Sequence, residues 1–353
     1  MMSMIAAIFA LGLQVAAPVD LDAIREKSGL PALGAAVLTS DRILWQGVSG
    51  VRRVGERASA QLNDKWHLGS CGKAMTVYLL ARLVAEGKLT WESTPRQVFG
   101  SRLPETVTAL ADVPLNQFLT HRAGVPNQAS IRRFDAAAGG PDRAGAVFTI
   151  LSLAPLSAPG ESYRYSNMGY IVAGGMAEAV TGQSYESLMK TRVFDPLGIT
   201  TAGFGNMAQF EANDQPWPHR PPERPMPNRG TLDNPRVFAP AGTMHMSLAD
   251  WAKFVQEFLR SGRGQSRLLP PDVAKALHHV EPGATYGRGW MIADRAWAGG
   301  RAYLHAGSNT MNYALVWVAP ALDRAYLVVT NSEGERVKDV ADEVVQALVQ
   351  SRR

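Results

Sequence analysis

Residues 67–84, HLGSCGKAMTVYLLARLV, read as an apolar helix with one serine at its head, Ser70, and one lysine, Lys73, turned into its greasy part. An ammonium among aliphatic neighbours is costly unless something compensates it. Residues three apart share one helix face, with Cβ atoms about 5–6 Å apart. The head of the helix also favours developing negative charge. A serine hydroxyl is a poor nucleophile until a base takes its proton. A desolvated lysine has its pKa pulled down and can be that base. The stretch therefore reads as an activated nucleophile, Ser70, with its base, Lys73. Cys71 lies about 100° round the helix from Ser70, which assigns it to packing.

Ser-x-x-Lys alone is a weak signal, and Ser187-Leu-Met-Lys190 repeats it. Order along the chain separates the two. Downstream of Ser70 comes Tyr165-Ser166-Asn167, the one Tyr-x-Asn in the sequence. Later, where a β-type run ends, comes His305-Ala306-Gly307. No Tyr-x-Asn follows Ser187, which reads as helix surface. His67-Leu-Gly69 fits His-x-Gly but precedes the serine and is taken as background. There is no Gly-x-Ser-x-Gly, so the nucleophile elbow of α/β-hydrolases is absent.

Around these motifs the chain is organised as an interrupted sheet. LDAIREKSG is a short helix stopped by Gly29, and 31–51 gives two apolar runs either side of Ser40-Asp41, a hairpin pattern. From Cys71 to about Arg263 the period is largely helical. SLADWAKFVQEFLRSG opens with a capping box, Ser247 to Asp250. DQPWPHRPPERPMPNRG (214–230) has too many prolines for helix or central strand and reads as an ordered loop. The last quarter carries short β-type runs and a closing helix, ERVKDVADEVVQALVQ. The expected fold is α+β: an antiparallel sheet flanked by N- and C-terminal helices, with a mostly helical domain inserted. The sheet part falls at about 18–70 and 285–353, the helical part at about 71–284.

Composition narrows the function. With 46% hydrophobic and 19% charged residues the chain is globular, and its net charge of +5 comes from scattered arginines rather than a basic run, against nucleic-acid binding. One cysteine excludes an internal disulfide and a Cys-rich metal site. The histidines show no paired ligand spacing, and the doublet His278-His279 reads as a helix-end surface feature. No metal and no cofactor is expected. Residues 1–17 carry a stretch, Met4 to Ala17, that is apolar and uncharged and ends in small residues, a signal-peptide pattern that points to a periplasmic or secreted protein. Nothing later approaches a membrane span.

The three ordered motifs resemble those of the penicillin-recognising serine hydrolases, which include β-lactamases, penicillin-binding DD-peptidases and a branch of carboxylesterases. The likeness runs from about Leu21 to the closing helix. Tyr-x-Asn points to the class C side, and FLTHRAGVP, APGESYRYSNMGY and AGTMHMSLADWAKF are similar to segments of that branch. The resemblance implies Ser70 as nucleophile, Lys73 as base and Tyr165 as proton relay. It implies that Asn167 holds Lys73 and a substrate amide or carbonyl, and that an oxyanion hole forms from the Ser70 and Ser308 N–H groups. Gly307, on what reads as an edge strand, would let substrate approach the backbone. Many β-lactamases carry Lys-Thr-Gly where this chain has His305-Ala306-Gly307, so its grip on a substrate carboxylate is weaker. The expected activity is therefore that of an esterase or peptidase on a small ester, amide or peptide. A wall-peptide sensor that acylates without release and a true class C-like β-lactamase remain the alternatives. The expected pocket walls are the helical domain, the proline-rich loop and residues near Trp290 and Asn309–Asn312.

Overall fold

The computed structural model describes residues 18–127, 142–207, 212–221, 223–226 and 233–351. The expected leader, 1–17, and part of the proline-rich loop lie outside these.

The α+β expectation holds. Six antiparallel strands run in the order Ile43–Gly50, Ala32–Leu38, Arg324–Thr330, Tyr313–Ala319, Gly300–Ser308, Met291–Arg295. The first hairpin thus pairs with the chain's last strand, Leu33 opposite Thr330 and Leu38 opposite Ala325. The sheet is closed by residues some 290 positions apart, with the helical region between them.

Alternation decides which face each side chain takes. In Ala32–Leu38 every residue is buried, because both faces of the sheet are covered. Ala36, Leu38, Val316, Val318, Leu327 and Val329 pack toward the helical region. Leu33, Val37, Leu315, Trp317, Tyr326 and Val328 pack toward the closing helix, Glu335–Gln350, and the helix Leu21–Ser28. Burying one such aliphatic side chain is worth about 1.5–3 kcal/mol. The sheet is therefore a rigid wall for anything docked on its end.

Three local readings need correction. The region between Cys71 and Arg263 also supplies two strands, Met244–Ser247 and Gly203–Phe204, to a small sheet whose third strand, Lys65–His67, comes just before it. Strands of two to four residues are too short to show a period in sequence. The capping box at Ser247 is only half formed. Ser247 Oγ accepts from Asp250 N–H at 3.3 Å, but the Asp250 carboxylate turns away to the Thr200 and Thr201 N–H groups. In the histidine doublet, His279 is exposed beside Glu281, whereas His278 is half-buried with its Nε2 2.7 Å from Ser261 Oγ. No helix among the described residues is long and apolar enough to cross a membrane.

Candidate active site

Ser70 lies on a single tight turn, Gly69–Cys71, that leads into the helix Gly72–Ala85. That turn is pressed onto the sheet. A Cβ on Gly307 would stand 2.0 Å from the Leu68 carbonyl oxygen and 2.7 Å from Ser70 N. Gly69 has φ +50, and a Cβ there would stand 2.4 Å from Ser308 N. Two glycines facing each other therefore let two backbones touch, which brings the N–H groups of residues 70 and 308 to one place. This corrects the reason given for Gly307: the group approaching it is the backbone of the Ser70 turn. Nor is Gly300–Ser308 an edge strand. Met291–Arg295 lies outside it, pairing with residues 300–304 and leaving 305–308 uncovered on that side.

The helical region supplies the polar side chains. Lys73 is fully buried. Its Nζ lies 3.0 Å from Ser70 Oγ, 2.7 Å from Asn167 Oδ1 and 2.5 Å from the Ala241 carbonyl oxygen. Burial holds its pKa well below the ordinary lysine value. A neutral amine has two hydrogens, and two carbonyl-type acceptors are in place for them. In that state the remaining lone pair would be free for the Ser70 hydroxyl. Tyr165 donates its phenol hydrogen to Ser70 Oγ at 2.8 Å, and burial pushes its pKa up, which keeps it a proton donor. The Lys73 Nζ lies 4.9 Å and 5.4 Å from the ring centres of Tyr165 and Tyr170, so a proton arriving there meets two π faces.

His305 is buried at the end of its strand. Nδ1 lies 2.7 Å from the Ala306 carbonyl oxygen, so it carries the hydrogen, and Nε2 accepts from the Tyr286 hydroxyl at 3.0 Å. Burial, aided by Lys73, pushes its pKa down to about 3. The imidazole is neutral across the physiological range. Cys71 donates to the His305 carbonyl oxygen at 3.3 Å, and burial pushes its thiol up. It packs, as its position round the helix required.

The structure thus brings together Ser70, Lys73, Tyr165 and Asn167, with Gly307 and Ser308 against the turn and His305 behind. Ser187 and Lys190 are exposed, and Lys190 pairs with Asp195. Trp290, near which a pocket wall was expected, is itself buried with its ring 4.5 Å from that of Phe258.

Sequence reading missed a second layer. His67, set aside as background, accepts from Gly69 N–H on Nδ1 at 3.2 Å and donates from Nε2 to Asp233 at 2.9 Å, both side chains being buried. Asp233 also accepts from Asn309 Nδ2 at 3.1 Å. Asn309 Oδ1 in turn takes the N–H of Asn312 at 3.0 Å. The loop entering the Ser70 turn and the loop leaving Ser308 are therefore tied through one carboxylate. No spacing in the sequence announces Asp233, which reaches the site only through folding.

The family model described as Beta-lactamase matches residues 20–351. Penicillin-binding protein 4 of Amycolatopsis lactamdurans is 23% identical over 334 residues, 88% of this chain and 83% of its own. The unguisins hydrolase ungD of Aspergillus violaceofuscus is 26% identical over 249 residues, 65% of this chain but only 42% of its own. Among solved structures, the octameric penicillin-binding protein homologue from Pyrococcus abyssi superposes with TM-score 0.75 at 20% identity, covering 93% of this chain and 75% of that one. A D-stereospecific amidohydrolase from Streptomyces sp. superposes with TM-score 0.70 at 20% identity, covering 91% and 96%.

Proposed function

This chain belongs to the beta-lactamase family, and from that premise we propose that it is a serine hydrolase that works through a Ser70 acyl-enzyme on a small ester or amide without a required carboxylate. The observation that carries the reading is Lys73, with both hydrogens of its neutral amine engaged by Asn167 and Ala241 and its lone pair left for Ser70.

In acylation, Ser70 Oγ attacks the substrate carbonyl carbon as its proton passes to Lys73 Nζ. The oxyanion forms between the N–H groups of Ser70 and Ser308. Tyr165 gives its hydrogen to the leaving alkoxide or amine and is resupplied by the Lys73 ammonium. The bond from carbonyl carbon to leaving group breaks as the Ser70 ester forms. In deacylation, water enters on the same side and its oxygen bonds to the ester carbonyl carbon as its proton passes through the Tyr165 hydroxyl to Lys73; the bond from that carbon to Ser70 Oγ then breaks, and Ser70 takes the proton back from the Lys73 ammonium. The carbonyl of Asn167 fixes Lys73 throughout.

His305 supports the choice of substrate class. A neutral imidazole, locked between Ala306 and Tyr286, offers no charge to a carboxylate. Neutral esters and aminoacyl amides suit such a site better than penicillins or peptides ending in a free carboxylate. A second reading follows from Tyr165: a phenol held so firmly protonated is a poor base for water, and a slow deacylation would make the protein an acylating sensor. We further propose export, on the apolar leader at 1–17.

Stopped-flow hydrolysis of p-nitrophenyl butyrate distinguishes these readings. Sustained turnover that vanishes in Ser70→Ala supports the hydrolase. A stoichiometric burst without further release supports the sensor, and undiminished turnover in Ser70→Ala overturns both. A parallel panel of D-aminoacyl amides and nitrocefin then ranks amide against lactam.

A further inference from the structure

The segment Phe118–Pro126, FLTHRAGVP, takes no part in the chemistry above, yet it wraps the Tyr165 motif. Its centre is His121, a buried non-glycine residue at φ +58. A side chain held in the left-handed region costs energy and persists only where its surroundings impose it. Here both flanks of Tyr165 are bound to it. The His121 carbonyl oxygen accepts from Arg164 N–H at 2.8 Å, and its Nδ1 accepts from Ser166 N–H at 3.1 Å. Between these two bonds its ring lies 4.3 Å from that of Tyr165, centre to centre. It also lies 4.6 Å from the ring of Tyr286, the partner of His305. The same segment also carries the Pro126 carbonyl, which accepts from Ser166 Oγ at 3.2 Å, and the next residue, Asn127, accepts from Asn167 N–H at 3.1 Å.

We propose that His121 is the positioning residue of Tyr165, a neutral ring that sets the phenol against Ser70 Oγ through the peptide groups on either side. It rests on the reading of Tyr165 as the proton donor. The bond to Ser166 N–H requires Nδ1 to be unprotonated, so Nε2 bears the hydrogen. That nitrogen is buried without a hydrogen-bond partner among the described residues. Burial, with Lys73 and His305 nearby, holds the His121 pKa well below the ordinary value. A second proton would break the Ser166 bond, so a neutral ring is what the arrangement needs.

A double-mutant cycle on p-nitrophenyl butyrate hydrolysis tests this. Tyr165→Phe is expected to lower kcat by about 10²-fold or more. His121→Leu should lower kcat by about 10- to 100-fold with KM changed less than about threefold, as expected when a transition-state contact is misaligned. In the Tyr165→Phe background the same His121→Leu change should cost almost nothing. His121→Asn, which tolerates positive φ and keeps an acceptor for Ser166 N–H, should recover much of the rate. Multiplicative losses in the double variant would overturn the assignment of His121 while leaving Tyr165 in its role. A Tyr165→Phe protein at full rate would instead sink the reading of Tyr165, and His121 with it. Should His121→Leu fail to fold, the cycle is run with His121→Asn and His121→Gln, which retain an acceptor at different reach. Equal rates for those two would also count against a positional role.

Discussion

The two walls of the site are made of different material. On the sheet side, the expected oxyanion pocket is backbone: the N–H groups of Ser70 and Ser308, brought together because Gly69 and Gly307 have no side chains. On the helical side, the proton-handling groups are side chains, Lys73, Tyr165 and Asn167, converging from two helices and a loop. A backbone wall is fixed by the strand it belongs to, so its geometry is inherited from the six-stranded sheet. A side-chain wall has to be held residue by residue, which is why bracing by His121 is found there. The sheet side has its own brace, His67 and Asp233, but this ties one backbone turn to another rather than aiming a reactive atom.

Breaking the helical wall should cost most. Lys73→Met should lower kcat/KM on p-nitrophenyl butyrate by on the order of 10³-fold or more, since the base is lost. Lys73→Arg should not restore it, because a guanidinium stays protonated. Retention of a tenth of the rate in Lys73→Met would mean that another base serves Ser70.

Breaking the backbone wall should come next. Gly307→Ala places a methyl against the Leu68 carbonyl, so the turn must retreat from the strand. A rate loss of about 10²-fold is expected if one oxyanion donor is displaced. It should be joined by about 1–3 kcal/mol of destabilisation in urea unfolding. A variant as active and stable as the parent would show that the two backbones do not touch as described.

Removing the sheet-side brace should do less. Asp233→Ala leaves the buried His67 Nε2–H without its partner, at a cost of about 1.5–3 kcal/mol. It should slow kcat about tenfold through the loosened Gly69 turn. Loss of stability with an unchanged kcat would reduce the pair to structural support.

The two walls should also separate by pH. Lys73 has a folded-state pKa depressed below its unfolded value near 10.5, so between these two values the unfolded chain binds the extra proton. Stability therefore rises with pH across that window and falls as pH is lowered through it, by at most about 1.4 kcal/mol per pH unit. The parent should gain on Lys73→Met as pH is raised from 7 toward 10, measured as the difference between their urea midpoints. A difference independent of pH would mean that Lys73 is buried as an ammonium. The smallest effect belongs to Cys71→Ala: the thiol only packs under the strand, so the rate should fall less than threefold with about 1 kcal/mol of stability lost. A large rate loss there would revive Cys71 as a reacting group.

The same contrast explains what the sequence made legible. Ser70 and Lys73 are neighbours on one helix, so their meeting follows from helical geometry alone. Ala32–Leu38 and Tyr313–Ala319 announce a sheet buried on both faces by continuous apolar runs. Tyr165, Asn167, His305 and Gly307 were found only because their order resembles a family's. Nothing local says that Tyr165 will reach Ser70. Asp233 and His121 were not found, because each acts on a backbone N–H whose position is known only after folding. His278 misled for the opposite reason: its place at a helix end suggested surface, while packing against Phe258 half-buries it.

The central claim, an activated Ser70, is most directly tested by intact mass after exposure to a fluorophosphonate, with the parent beside Ser70→Ala and Lys73→Met. The account predicts one adduct on the parent, none on Ser70→Ala, and a strongly slowed adduct on Lys73→Met. An adduct of equal extent on Ser70→Ala would place the reactive hydroxyl elsewhere and contradict the account.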